Sequence, residues 1–129
     1  MPNRARDWFQ QAVRDLEQAE DSRHAGRHEW ACFAAQQAAE KAVKALHLRL
    51  GQEAWGQMVA RLLRELPEHV AVPTELIEQA QVLDNFPTRY PNSHPEGAPF
   101  EHYGLLQSEE AIRYARAILA FVRLHMAQS

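Results

Sequence analysis

From Trp30 to Leu50 the chain contains neither glycine nor proline, and Gly51 is the first of either to follow. Alanine, leucine, lysine, glutamate and glutamine dominate the stretch, and these are strong helix formers. Ala31, Ala35, Ala38, Ala39, Ala42, Val43, Leu46 and Leu50 recur at spacings of three and four, which gathers them on one helical face. A second line through Trp30, Phe33, Ala34, Ala45 and Leu48 widens that face. A helix apolar over so much of its circumference is expected to be surrounded by other helices. Its alanines let neighbouring backbones approach closely. The stretch therefore predicts the inner helix of a bundle.

The flanking sequence supplies the partners for such a helix. Arg4 to Arg23 reads as a helix with Ala5, Trp8, Phe9, Ala12, Val13, Leu16 and Ala19 on its apolar stripe. Asn3 is a candidate cap, because its side chain can accept from an unpaired first-turn N–H. Gly26 is a natural stop, since glycine enters the left-handed region without a Cβ penalty. The inner helix then spans about His28 to Leu50. Two long helices joined by so short a turn are expected to lie antiparallel. Shorter helices are predicted at Gln57 to Glu65, ended by Pro67, and at Thr74 to Asn85, with Pro73 at its start. A last long helix is predicted from Glu109 to Met126, capped by Ser108, with Ile112, Ala115, Ile118, Leu119, Val122 and Met126 inward. No segment shows strand-like alternation. The fold expected is all-α: a single domain over residues 1–129, an antiparallel up-and-down helical bundle with three long and two short helices.

Composition limits the partners. Fourteen Lys and Arg against seventeen Asp and Glu give a net charge of −3, so the chain is not built to hold nucleic acid by charge alone. No apolar run approaches the roughly 18 residues of a membrane span. Met1 to Asp7 carries no apolar signal region behind its charges, so a cytoplasmic protein is expected. The single Cys32 lies on the apolar helix face and reads as a packed residue. No Gly-rich phosphate loop is present, and no cofactor or metal is expected. His24 and His28 are four apart, but Gly26 between them separates their faces.

Four of the seven prolines fall between Phe86 and Gly104, which makes this a long, stiffened loop. Loops of this length in small domains are often functional. It contains the sequence's main chemical constellation, Arg89-Tyr90-Pro91-Asn92-Ser93-His94. A histidine titrating near neutrality can take the proton of a ribose 2′-hydroxyl or give one to a leaving oxygen. An arginine fork matches phosphate oxygens and stabilises charge developing on them. By spacing alone, the same residues read equally as a surface arginine paired with a carboxylate and a histidine packed on prolines.

The string around Gln36, Gln37, Glu40, Lys41 and Lys44, the Trp55-Gly56 turn, the Arg89 to Pro91 loop and the closing amphipathic helix together resemble the HEPN family of small helical prokaryotic proteins. That resemblance covers essentially the whole chain. It implies a homodimer whose two Arg-x4-His motifs face one cleft, with Arg89 and His94 catalytic in a metal-independent endoribonuclease. It also implies a frequent partner, a small nucleotidyltransferase acting as antitoxin to the HEPN toxin, and RNA as substrate. Three positions depart from the pattern of catalytic members: Tyr90 where a polar Asn, Asp or His follows the Arg, Glu96 where some toxins have Tyr, and Gln57 where relatives have His after the Gly. The alternative implied is a non-catalytic nucleotide-binding or interaction module. In that reading Lys41, Lys44 and Tyr90 would meet a nucleotide. Glu40 and Lys44, at i and i+4, read otherwise as an exposed helical ion pair. A third reading is a plain structural dimer.

Overall fold

The computed structural model describes residues 4–86 and 94–128. Six helices follow one another: α1 (Ala5–His24), α2 (His28–Arg49), α3 (Val59–Arg64), α4 (Thr74–Asp84), α5 (Pro99–His102) and α6 (Leu105–Gln128). No strand occurs among the described residues. The three long and two short helices expected are present. The sixth, α5, is a single turn inside the proline-rich loop.

Helices α1 and α2 reverse at Gly26, whose φ of +76° suits a residue without Cβ. Arg27 N–H reaches back to the Ser22 carbonyl at 2.8 Å and closes the end of α1. The α1–α2 seam is built from Ala12, Ala19, Ala31, Ala35, Ala38 and Ala42, all fully buried. On the next sector of α2, Cys32, Ala39, Val43 and Leu46 join Ile112, Ala115, Ile118 and Val122 of α6 in the same core. Across the α1–α6 edge, Glu20 pairs with Arg116, and Arg23 bridges Glu20 at 3.3 Å and Glu109 at 3.8 Å.

Short α3 is held at both ends by side chains from its neighbours. The Asp84 carboxylate, at the end of α4, accepts from the Val59 and Ala60 N–H groups at 2.8 and 2.9 Å. Gln36 of α2 donates to the Gln57 carbonyl at 2.9 Å and lies 3.4 Å from Asp84 Oδ1. At the other end, buried His47 donates from Nε2 to the Leu62 carbonyl at 2.8 Å. A six-residue helix leaves most of its terminal N–H and C=O groups without internal partners, and these contacts satisfy three of them.

Two expectations about the ends and faces change. The last helix begins at Leu105, a turn ahead of Glu109. Ser108 is not its cap: it is fully buried, with its hydroxyl 3.0 Å from the Leu105 carbonyl and 2.8 Å from His28 Nδ1. The start of α6 is stabilised instead by Gln107, whose Oε1 accepts from Gly104 N–H at 2.9 Å. The second apolar line of α2 is only partly covered. Trp30 is 52% exposed, and Phe33, Ala34 and Leu48 are half-buried. Ala45 on the same line is fully buried, so the opening is confined to the part around Trp30, and α2 is packed on most sides but not surrounded.

Candidate functional site

His94 is the first described residue after the loop segment, and its ring is held by aromatic neighbours from the entry to α6. It stacks face to face on His102, with centroids 4.0 Å apart and planes 5° apart. Tyr103 meets it edge-on at 6.0 Å. Phe86, where the loop leaves α4, meets Tyr103 edge-on at 5.7 Å. The two ends of the loop are thus tied through Tyr103. His102 is fixed in turn, its Nε2–H donating to the Glu96 carbonyl at 2.6 Å. Helix α5 carries His102, and it begins at buried Pro99, where a missing N–H costs nothing. Glu101 Oε1 accepts from Ala98 N–H at 3.1 Å.

The half-buried Tyr103 sits against α2. Burial pushes its hydroxyl up to about 12, with a smaller push from Cys32. Burial likewise raises the Cys32 thiol to about 12, reinforced by Glu29 and Glu110. Such a thiol stays protonated and inert, in keeping with a packed residue.

Arg89 and Tyr90 lie outside the described residues. Lys41 and Lys44 lie on a different face of α2 from the His94 cluster. Cys32 marks the Tyr103 side, and Lys41, nine residues on, is roughly 180° around the helix. Lys41 pairs with Asp15 of α1. Lys44 bonds Glu40 at 3.0 Å, with its ammonium 5.8 Å from the centre of the Trp8 ring. The Glu40–Lys44 pair is not the exposed one expected. Glu40 is buried, and its second oxygen accepts from Gln37 at 3.2 Å.

Lys41 also stands at one end of a groove between α1 and α2 with a volume of about 500 Å³. Trp30 and Phe33, edge to face at 6.0 Å, line its apolar part, and Asp15, Gln37 and Arg27 its polar part. Among the described residues, no group of three or more His, Cys, Asp and Glu side chains is arranged to hold a metal ion. His28 is engaged with Ser108, and His24 with Arg23.

Comparison with known proteins decides the family. The HEPN domain profile matches residues 5–125. The chain belongs to the HEPN family. Among solved structures, a protein of Thermus thermophilus is 53% identical, with a TM-score of 0.94 over 96% of this chain and 99% of that one. An archaeal HEPN homologue is 38% identical, with a TM-score of 0.82 over 97% and 99% of the two chains. An HEPN domain protein of Thermotoga maritima is 36% identical, with a TM-score of 0.81 over 95% and 99%. No curated protein matches. The helical architecture is therefore that of HEPN homologues. No helix among the described residues is long and apolar enough to cross a membrane.

Within this HEPN fold, the residues that spacing alone did not single out are His102, Tyr103 and Asp84. His102 and Tyr103 follow Pro99 in the same loop as His94. A proline that starts a one-turn helix is the signal that turns the loop back on itself. Asp84 just before a predicted helix end gave no such signal, because its partners lie more than twenty residues away.

Proposed function

We propose that this HEPN protein is the toxin of a toxin–antitoxin pair and cleaves RNA without a metal ion through Arg89 and His94. One observation carries the reading: in a chain of this family, the motif histidine is presented by a built aromatic clamp rather than left on a free loop. In the reaction, one His94 ring nitrogen takes the proton from a ribose 2′-hydroxyl, and the resulting oxyanion attacks the adjacent phosphorus. The Arg89 fork spreads over the phosphate oxygens as charge develops there. The leaving 5′-oxygen needs a proton, and a second His94 supplies it when two copies form one cleft. The homodimer is thus part of the chemistry. With a net charge of −3 per chain, phosphate is held locally by the arginine forks rather than by a basic surface. The antitoxin partner is a small nucleotidyltransferase, and the setting is the cytoplasm. Induced expression in a bacterial host tests this. Wild type should arrest growth, co-expression of a cognate nucleotidyltransferase should relieve the arrest, and His94→Ala should be harmless at equal abundance. A toxic His94→Ala variant would refute the assignment.

A second reading is favoured by the α1–α2 groove. A flat base could lie against Trp30 and Phe33, with its phosphate near Lys41 at one end of the groove. In this reading the protein is a nucleotide-binding interaction module, and Lys44 and Tyr90 assist. Because Lys41 already pairs with Asp15, a phosphate must compete for it. Titration with AMP, followed by tryptophan fluorescence, should give saturable quenching in wild type and none in Lys41→Ala. No quenching in either removes this reading.

A further inference from the structure

His94 sits within a proline-rich run, with no helix of its own to hold its ring, yet the ring lies flat against a second imidazole. We propose that His102 is a positioning residue for His94, fixing the plane of the imidazole that serves RNA cleavage; this rests on the ribonuclease reading above. Three features of the local structure carry the proposal. The two rings overlap face to face at 4.0 Å and 5°, a geometry that leaves a planar ring little freedom to rotate out. His102 is anchored independently of His94. A carbonyl only accepts, so its Nε2 carries the proton in the 2.6 Å bond to Glu96. The loop is also shaped around His102. Gly97 adopts φ +79°, and a Cβ there would meet His102 Nε2 at 3.2 Å and Glu101 Oε2 at 3.4 Å. Tyr103 then bounds His94 edge-on, at right angles to the stack.

His102 is placed to orient rather than to react. One of its nitrogens is committed to a backbone carbonyl, and one face is covered by His94. What it supplies is a flat surface at a fixed height. Catalytic groups must be held close to their productive geometry, and a displacement near 1 Å can cost on the order of a hundredfold in rate.

Three variants of the full-length protein separate the parts of this role. His102→Phe keeps the flat face and drops the bond to Glu96. His102→Gln keeps a donor and drops the ring. His102→Ala drops both. Two readouts are needed, RNA cleavage kinetics and the ring resonances of His94 in protein carrying labelled histidine. The expected result is that His102→Ala lowers kcat about tenfold or more with KM within about twofold. His102→Phe should restore most of kcat, and His102→Gln should resemble Ala. The His94 ring protons, shifted by the stacked neighbour, should move in Ala and Gln and stay shifted in Phe. Unchanged His94 resonances in His102→Ala would overturn the proposal. So would equal kcat losses in Phe and Ala, or a loss confined to KM. Should wild type cleave no RNA at all, the ribonuclease reading fails by itself, while the resonances still decide whether His102 orients His94.

Discussion

Replacing Asp84 should reveal how much of the site's frame depends on one carboxylate. Asp84 ends α4 two residues before Phe86, and its two oxygens take the Val59 and Ala60 N–H groups at 2.8 and 2.9 Å. Both of those residues are buried, so neither N–H finds water when the carboxylate is removed. A hydrogen bond to a charged group contributes about 1.5–3 kcal/mol, and loss of a helix cap alone costs about 0.5–2 kcal/mol. The two bonds share one carboxylate and are not independent, so Asp84→Ala should cost about 2–4 kcal/mol in total. Asp84→Asn keeps one acceptor and turns a donor toward the other N–H, so it should lose roughly half as much. Urea unfolding followed by far-ultraviolet circular dichroism measures both, and the slope m should match wild type if only the folded state has changed. The reasoning also requires order: Ala below Asn below wild type. Losses under about 0.5 kcal/mol for both variants, or Asn equal to Ala, would refute it. Because Phe86 leaves α4 next to this cap and packs on Tyr103, the Ala variant should also broaden the His94 ring resonances.

Other expectations follow from the core. His47→Leu fits the space but strands the Leu62 carbonyl and should cost about 1–3 kcal/mol by the same unfolding assay. Ala35→Leu forces a branched side chain into the α1–α2 seam and should cost about 1–3 kcal/mol or more, while Ala34→Leu on the half-covered sector should be nearly neutral; equal losses would contradict the seam assignment. The Cys32 thiol, raised from 9.0 to about 12, should resist iodoacetamide at a pH of about 8.5 in native protein and react in urea. The same shift sets a pH dependence. Above pH 9.0 the unfolded chain loses the Cys32 proton while the folded chain keeps it to about 12, so stability should fall as pH rises through this window. A flat stability profile across that window would contradict the burial of that thiol.

The helices that periodicity marks most strongly are the ones that need no distant partner to define them. Helices α1 and α2 begin and end within a residue or so of their expected bounds because Gly26 and Gly51 stop them locally. The start of α6 departs from expectation for the opposite reason. Ser108 is an excellent cap by local rules, but His28, eighty residues away, takes its hydroxyl into the interior. The same limit applies to Trp30 and Phe33. Spacing puts them on one line of α2, and only the arrangement of the other described helices shows that this line is left partly open. Glu40 and Lys44 satisfy the helical pair rule, yet burial of Glu40 depends on which sector of α2 faces inward. At the candidate site, His94 was legible from its chemistry and its place before α6. The stack with His102 was not, because it requires the turn at Gly97 and the single turn of α5 to bring the two rings together.

The central claim is that His94 cleaves RNA, and single-turnover cleavage of an end-labelled RNA pool in EDTA tests it most directly. Purified wild type, Arg89→Ala and His94→Ala should be compared as folded proteins of the same oligomeric state. The account predicts cleavage by wild type, with both variants slower by about a hundredfold or more. Cleavage by His94→Ala at the wild-type rate, or none by folded wild-type protein, would contradict it.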